Sequence, residues 1–261
     1  MDRFFHPAGL TQSTLSLDEA ESHHASRVLR KSAGDRIEIF DGSGGAAIAE
    51  ITAVKKDRVD VRIIERLADQ PQESPEIHLM VAPPKGERLK WLVEKATELG
   101  VDQLTPLLTQ RTVVEPGSHK LDKLQSAVVA ACKQSGRNRV MQIGASRDLR
   151  SCLLGASDDR IFLMGDPLAP VWDPEPLRTA RSIVILIGPE GGWSPEELVL
   201  ADAAGVVRVR GALGVLRTET AAIQFAGLAA WCRCQTASPE LPDDHRGILD
   251  PMEHHSGHLG H

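Results

Sequence analysis

Two glycine-containing segments follow apolar stretches and could bring backbone polar groups to a ligand. The first, IGPEGGWSPEE at residues 187–197, begins where IVILI ends. Ser194 has the position of a helix N-cap, Pro195 that of the first helical residue, and Glu197 completes a capping box. A strand, a glycine turn and a helix in this order leave N–H and C=O groups free at the strand's carboxyl end. The segment predicts either a ligand-binding loop or a tight turn that only requires glycine.

The second segment, GALGVLRTETA at residues 211–221, lies between the last predicted strand and the last predicted helix. Thr218 is suited to be an N-cap, and Arg217 is a fixed cation beside the helix start. Two such loops at one edge of a sheet could close over a single pocket. A solvated arginine next to a helix cap is the alternative interpretation.

Basic residues form two short clusters, KQSGRNR at residues 133–139 and PKGER at residues 84–88. Guanidinium and ammonium groups in such turns can donate to phosphates and base edges. The net charge of −6 argues weakly against nucleic acid, because RNA-binding proteins usually have a basic face. However, cations outnumber acids between residues 85 and 139, and residues 237–261 are acidic. Local charge is what a phosphate backbone meets, so RNA binding stays open.

The elements that must position these residues fall into two groups. Residues 1–68 are typical of short strands: a hairpin pattern joins 37–40 to 47–51, and 59–64 alternates in the same way. One helical segment precedes them at about 18–30. We predict a small β-barrel-like domain over residues 1–70, ending in a linker at 68–75.

From residue 77 onward, strand and helix patterns alternate, which predicts an α/β layered domain over 77–236. The strands are expected at 77–82, 101–107, 161–165, 183–188 and 206–209, and their continuous apolar character indicates burial on both faces. Amphipathic helices are expected at 89–99, 121–131 and about 219–233. Residues 237–261, rich in Pro, Asp and His, are predicted to be a disordered tail.

Several classes of protein are disfavoured. No apolar run approaches the roughly 20 residues that span a bilayer, and the first residues do not form a secretory signal, so we expect a cytoplasmic protein without a membrane partner. Four scattered cysteines predict reduced thiols. The spacing of His and Cys predicts no metal site.

In order along the chain, RFF, HHASRVLRKSAGD, KGERLKWLVEKATELGV, KQSGRNR, IGPEGGWSPEE and VLRTETAA resemble the RsmE family of bacterial 16S rRNA methyltransferases. The resemblance covers roughly residues 1–235, and the last two motifs are specific to that family. It implies a PUA-like β-barrel followed by a SPOUT α/β domain tied in a trefoil knot, which spacing alone cannot predict. It further implies a homodimer that uses S-adenosyl-L-methionine to methylate N3 of a uridine in 16S rRNA of the small ribosomal subunit, with no metal required.

The resemblance also implies the site residues. Cofactor contacts are expected from Leu186, Ile187, Gly188, Glu190, Gly191, Gly192, Gly211, Leu216, Arg217 and Thr218. RNA contacts are expected from Arg3, Arg27, Lys85, Arg137, Asn138 and Arg139. Uracil N3–H is weakly acidic, so we assign to Arg217 the stabilisation of the developing anion, with Glu219 or water as the proton acceptor.

One segment departs from the family pattern. Ala212 stands where the family usually has Gly, and Gly214 where it usually has Arg. Gly211 is a candidate to form the turn instead. Two other functions are kept as alternatives. One is a SPOUT enzyme that methylates ribose 2′-oxygen, and the other is a non-catalytic RNA-binding assembly factor, which the altered loop favours.

Overall fold

The computed structural model describes residues 1–56, 58–154, 159–171, 177 and 179–236. The predicted disordered tail lies outside these residues. The described part contains two β-sheets, one in each half of the chain.

The first sheet has five strands in the order β1-β3-β4-β5-β2, and all pairs except the parallel β1–β3 are antiparallel. The strands are β1 Arg3–Phe5, β2 Thr14–Ser16, β3 Arg36–Phe40, β4 Ala46–Lys55 and β5 Arg58–Arg66. The predicted hairpin is confirmed as β3 and β4. At its turn the Asp41 carboxylate accepts from the backbone N–H groups of Ser43 and Gly45, at 2.8 and 3.0 Å. β1 and β2 were not predicted, because three residues are too few to show an alternation.

A short helical stretch crosses this sheet where one was expected. Helix α1, Glu19–His23, continues into a π-helical turn, His24–Val28. Asp18 caps α1 by accepting from the N–H of Glu21 at 2.8 Å.

The second sheet is entirely parallel, with the order β12-β10-β11-β6-β7-β8 and with β9 also paired to β7. Its strands are β6 Glu76–Val81, β7 Gln103–Leu108, β8 Gln142–Ile143, β9 Arg147–Asp148, β10 Arg160–Gly165, β11 Ser182–Ile187 and β12 Val207–Val209. Its helices are α2 Arg88–Glu98, α3 Ser118–Ser135, α4 Leu149–Leu153, α5 Pro195–Ala203 and α6 Thr218–Thr236. The alternation of strands and helices predicted from residue 77 onward is confirmed.

Side chains of this sheet alternate between two apolar clusters. Ile183, Ile185 and Ile187 of β11 pack with α2, α3 and α6, whereas Val184 and Leu186 pack with α4 and α5. Helices therefore cover both faces, which explains the continuous apolar runs of the strands.

Helix α6 does not pack beside the strand that precedes it. β12 lies at the edge of the sheet, but α6 contacts the central strands β6 and β11. Residues 210–217 therefore cross the carboxyl ends of the neighbouring strands before α6 begins, and this crossing assembles the candidate site.

Candidate functional site

An open cavity lies at the carboxyl edge of the parallel sheet. Because β10, β11 and β12 run parallel, the loops that leave them meet at this edge. The cavity is lined by residues of all three loops and of α6: Gly165, Asp166, Pro167, Ile187, Gly188, Pro189, Glu190, Gly192, Trp193, Arg210, Gly211, Ala212, Gly214, Val215, Leu216, Thr218, Ala221 and Phe225.

The loop after β11 is held by the predicted capping box. Ser194 Oγ accepts from the N–H of Glu197 at 3.2 Å, and Glu197 Oε2 accepts from the N–H of Ser194 at 2.8 Å. The other carboxylate oxygen, Oε1, accepts from the N–H of Gln110 in the loop after β7. Beside it, the Arg111 guanidinium donates to the carbonyl of Gly191 at 2.7 Å. The loop after β7 thus fixes the outer side of the loop after β11.

Trp193 forms one wall of the cavity. Its indole Nε1 donates to the carbonyl of Gly165 at 2.9 Å, which ties the loop after β11 to the loop after β10. A Cβ at Gly188 would lie 3.0 Å from a ring carbon of Trp193. A side chain at this position would therefore have to displace the indole.

The loop after β12 closes the cavity from the other side. Thr218 Oγ1 donates to the carbonyl of Gly188 at 3.2 Å, and Gln224 donates to the carbonyl of Gly211. A Cβ at Gly211 would lie 3.1 Å from the ring of Phe225. Although Ala212 and Gly214 depart from the family pattern, the loop still lines the cavity.

Seven of the ten predicted cofactor residues line the cavity and three do not. Ile187, Gly188, Glu190, Gly192, Gly211, Leu216 and Thr218 are in its wall. Leu186 is fully buried on the face of β11 that packs with α4 and α5. Gly191 turns its carbonyl toward Arg111, and Arg217 is exposed outside the lining.

Sequence reasoning missed the third loop, Gly165-Asp166-Pro167. Asp166 is buried, its backbone N–H donates to the carbonyl of Val209 at 2.9 Å, and its carboxylate lies 3.4 Å from Arg208. The available signal was a glycine followed by Asp-Pro at the end of a buried strand, without a helix cap to mark it. Trp193 and Phe225 were missed because apolar residues read from the sequence alone are not distinguishable from core.

The two predicted catalytic residues differ in exposure. Glu219, in the first turn of α6, is only 7% exposed. Its Oε1 lies 3.5 Å from the Arg88 guanidinium, and its Oε2 is buried with no hydrogen-bond partner among the described residues. Arg217 is exposed two residues earlier. Arg88, which sequence reasoning included only in a weak basic cluster, also lies 3.6 Å from Glu190.

Four of the six predicted RNA contacts lie at the junction between the two sheets. Arg3 donates to Glu38 at 2.9 Å, to the carbonyl of Cys132 at 2.6 Å and to Asn138, and its side chain is only 8% exposed. The Arg139 guanidinium donates to the carbonyl of Gln70 at 2.9 Å. These groups are engaged within the molecule.

Arg137 is held even more completely. It donates to the carbonyls of Thr97 and Val101, at 3.2 and 2.6 Å, and to the Asp102 carboxylate at 3.1 Å. Burial lowers the pKa of its guanidinium, and Asp102 opposes that shift. In contrast, Arg27 and Lys85 are exposed. Arg3 thus links the first half of the chain to Cys132 and Asn138, Arg139 binds the connecting segment at Gln70, and Arg137 is engaged within the second half. Arg27 and Lys85 are left accessible to a partner.

Two further expectations concern metals and membranes. Within the described residues, no group of three or more His, Cys, Asp or Glu side chains is arranged to hold a metal ion. Among the helices of the same residues, none combines the length and apolar character needed to cross a membrane.

Comparison with known families identifies the class. The model of the RNA methyltransferase domain family matches residues 71–230, and that of the RNA methyltransferase PUA domain matches residues 17–64. The fold and the matched domains define an RNA methyltransferase with a PUA-like domain.

Individual relatives narrow the class. Ribosomal RNA small subunit methyltransferase E of Synechocystis sp. is 28% identical over 82% of this chain and 72% of that protein. The ribosomal RNA small subunit methyltransferase E of Bacillus subtilis is 30% identical over 80% of this chain and 86% of that protein. The crystal structure of a ribosomal RNA small subunit methyltransferase E from Neisseria gonorrhoeae, bound to S-adenosyl methionine, has a TM-score of 0.80 at 30% identity and covers 87% of this chain and 95% of that chain. This chain belongs to the ribosomal RNA small subunit methyltransferase E family, as its motifs predicted.

Proposed function

We propose that this protein transfers a methyl group from S-adenosyl-L-methionine to N3 of a specific uridine in 16S rRNA of the small ribosomal subunit. The observation that carries the proposal is the cavity formed by the three loops, in which the lining residue Thr218 is flanked by the exposed Arg217 and the buried Glu219. A ribosomal substrate implies action in the cytoplasm.

The cavity is suited to this cofactor. Ile187, Leu216 and Phe225 offer apolar walls for an adenine ring, and the glycine loops offer backbone donors and acceptors for its edge. The carboxylates of Asp166 and Glu190 are acceptors suited to ribose hydroxyls or an ammonium group. This chemistry requires no metal.

The bound cofactor would supply an electrophilic methyl group on a sulfonium. We assign to Arg217 the stabilisation of negative charge on the uracil carbonyl oxygens, since its guanidinium is exposed next to the cavity. We assign to Glu219 the role of proton acceptor for N3–H. The buried Oε2 of Glu219 lacks a donor among the described residues, which supports a carboxylate poised to accept a proton.

Three features of the family extend the proposal. The crossing of residues 210–217 to reach α6 is the kind of path that a SPOUT trefoil knot requires, and the antiparallel strands of the first sheet are compatible with a closed barrel. The side chains of Leu213 and Val215 are 97% and 80% exposed beside the cavity, which supports a homodimer in which a second copy covers them. Arg27 and Lys85 are the exposed cations proposed to contact rRNA.

The test uses small ribosomal subunits that lack the modification, labelled cofactor, nuclease digestion and identification of the nucleosides by mass spectrometry. We expect label in 3-methyluridine at a single site. Arg217→Ala is expected to slow transfer about a hundredfold or more while binding cofactor normally, because it removes a charge-stabilising donor. Arg150→Ala, an exposed arginine of α4, is the matched control and is expected to retain activity.

Other outcomes would contradict the proposal. Label in a ribose-methylated nucleoside would support the 2′-oxygen alternative. Cofactor binding without labelling of any RNA would support a non-catalytic assembly factor, consistent with the altered residues Ala212 and Gly214. Arg217→Ala with normal turnover would refute the role given to that residue.

A further inference from the structure

Arg88 links three segments that are far apart in the sequence. It is the first residue of α2, and its Nη1 lies 3.5 Å from Glu219 Oε1 and 3.6 Å from Glu190 Oε1. Glu219 belongs to the start of α6, and Glu190 to the loop after β11. One guanidinium therefore connects the proposed cofactor loop to the proposed catalytic carboxylate.

The two carboxylates depend on Arg88 to different extents. The side chain of Glu190 is 54% exposed, so water can solvate it. The side chain of Glu219 is 10% exposed, and its Oε2 is buried without a partner in the described part of the chain. A buried carboxylate needs a compensating charge, and a half-satisfied one is costly. For Glu219, Arg88 is the cation that the geometry supplies.

Other cations on α2 do not substitute for it. Lys90 lies 3.8 Å from Glu94, and Lys95 lies 2.7 Å from Glu98, so both are directed along their own helix. The side chain of Arg88 is 42% exposed, so it is not an element of the apolar core. Its position is explained by the carboxylates it contacts.

We infer that Arg88 is a positioning residue for methyl transfer. It fixes the position of the Glu219 carboxylate relative to the loop that carries Glu190, and it does not itself contact the uracil. The inference rests on the proposed function, because it takes Glu219 as the proton acceptor. Its consequence is specific: loss of Arg88 should slow the chemical step with both reactants bound, and its effect should pass through Glu219.

A double-mutant cycle tests this inference. Arg88→Gln, Glu219→Gln and the double variant are compared with the wild-type chain in single-turnover methylation of unmodified small subunits at saturating cofactor. We expect each single variant to slow transfer about tenfold or more, and the double variant to be no slower than Glu219→Gln within about twofold, because residues that act as a unit are non-additive. Arg88→Lys, which keeps the charge, should recover part of the rate.

Two measurements exclude a merely structural effect. Cofactor affinity, measured by calorimetry, should be nearly unchanged in Arg88→Gln. Its thermal unfolding midpoint should fall, because Glu219 loses its compensating charge, but the variant should remain folded at the assay temperature. Lys90→Gln removes a cation from the same helix without reaching Glu219, and it should transfer methyl groups at the wild-type rate.

Three results would overturn the inference: Arg88→Gln with a wild-type rate, multiplicative effects in the double variant, or slowing by Arg88→Gln when Glu219→Gln alone has no effect. A failure of the proposed function is distinguishable. If the wild-type chain labels a nucleoside other than 3-methyluridine, only the assigned reaction is wrong, and the same cycle is measured on that nucleoside. If the wild-type chain binds cofactor and labels nothing, both proposals are refuted.

Discussion

Charged side chains gather at both edges of the parallel sheet, but they are satisfied to different degrees. At the amino ends of β6 and β7, Arg137 and Arg233 share the Asp102 carboxylate and donate to surrounding backbone carbonyls. At the carboxyl ends, the cavity combines five glycines with apolar and charged side chains. There Glu219 has one long contact, to Arg88, and one buried oxygen without a partner in the described residues.

This difference separates architecture from chemistry. A buried guanidinium that donates to several protein acceptors stabilises one arrangement of the chain and has little left to offer a ligand. An under-satisfied carboxylate beside a cavity is costly in the resting protein and is typical of a functional site. The cations of KQSGRNR belong to the first kind: Lys133 pairs with Glu21, and Arg137 and Arg139 donate to groups of the protein itself.

The largest expected effect is a loss of stability on removing Arg233 from the network at the amino ends of β6 and β7. Arg233 is 4% exposed and contacts Pro75, Gly100, Asp102 and Glu73. Arg233→Ala should lower the free energy of unfolding by about 3–5 kcal/mol, because it leaves the carboxylate of Asp102 less compensated and two carbonyls unpaired. Urea-induced unfolding of the full chain measures the loss.

The matched control is Arg62→Ala. Its partner Glu50 is 3.2 Å away, but the Arg62 side chain is 58% exposed, so the loss should stay below about 1 kcal/mol. Equal losses of unfolding free energy in the two variants would refute the view that the charged network around Asp102 stabilises the fold.

The features that could be predicted from the sequence are those set by residues close together in the chain. Capping residues and hydrophobic periodicity are local, so α5 with its Ser194–Glu197 box and five of the seven strands of the parallel sheet were found close to their observed bounds. The two-residue strands β8 and β9 were not predicted, because they are too short to show a pattern. The two glycine loops were found for the same reason. Each lies between a continuous apolar run and a recognisable helix start.

What could not be predicted depends on contacts distant in sequence. Arg88 and Glu219 are separated by 131 positions, and Arg3 reaches Asn138 across 135. No local pattern distinguishes such an arginine from a solvated one. The loop at Gly165 was missed because its role arises only when β10 is paired beside β11.

A second prediction concerns a partly buried histidine of the central strand β6. His78 of β6 lies 2.9 Å from Thr105 Oγ1. Burial, and to a lesser extent the positive charges of Arg160 and Arg147, lowers the pKa of His78 from 6.5 to about 4. Between these values the unfolded chain binds a proton that the folded chain does not, so His78 destabilises the fold progressively as the pH falls from 6.5 toward 4. The loss should reach on the order of 3 kcal/mol.

His78→Gln separates this effect from the titration of carboxylates. Glutamine can still hydrogen-bond to Thr105 but carries no titrating ring. Unfolding free energies of both proteins are measured from pH 7 to pH 4.5, and the wild-type chain should lose more stability than the variant. Parallel curves would mean that His78 is protonated in the folded protein without cost.

The smallest expected effect is at the carboxyl edge of the sheet, where one added methyl group tests whether Trp193 forms a wall of the cofactor site. The Cβ of Gly188→Ala would lie 3.0 Å from the Trp193 ring, and Trp193 is fixed by its bond to the Gly165 carbonyl. The indole must therefore shift, and we expect cofactor affinity, measured by calorimetry, to fall about tenfold, or about 1.4 kcal/mol.

The control is Gly227→Ala, in α6 with open space around its Cβ, which should bind the cofactor normally and gain about 0.5–1 kcal/mol of stability. If Gly188→Ala bound the cofactor as tightly as Gly227→Ala, the indole would not be a wall of the binding site.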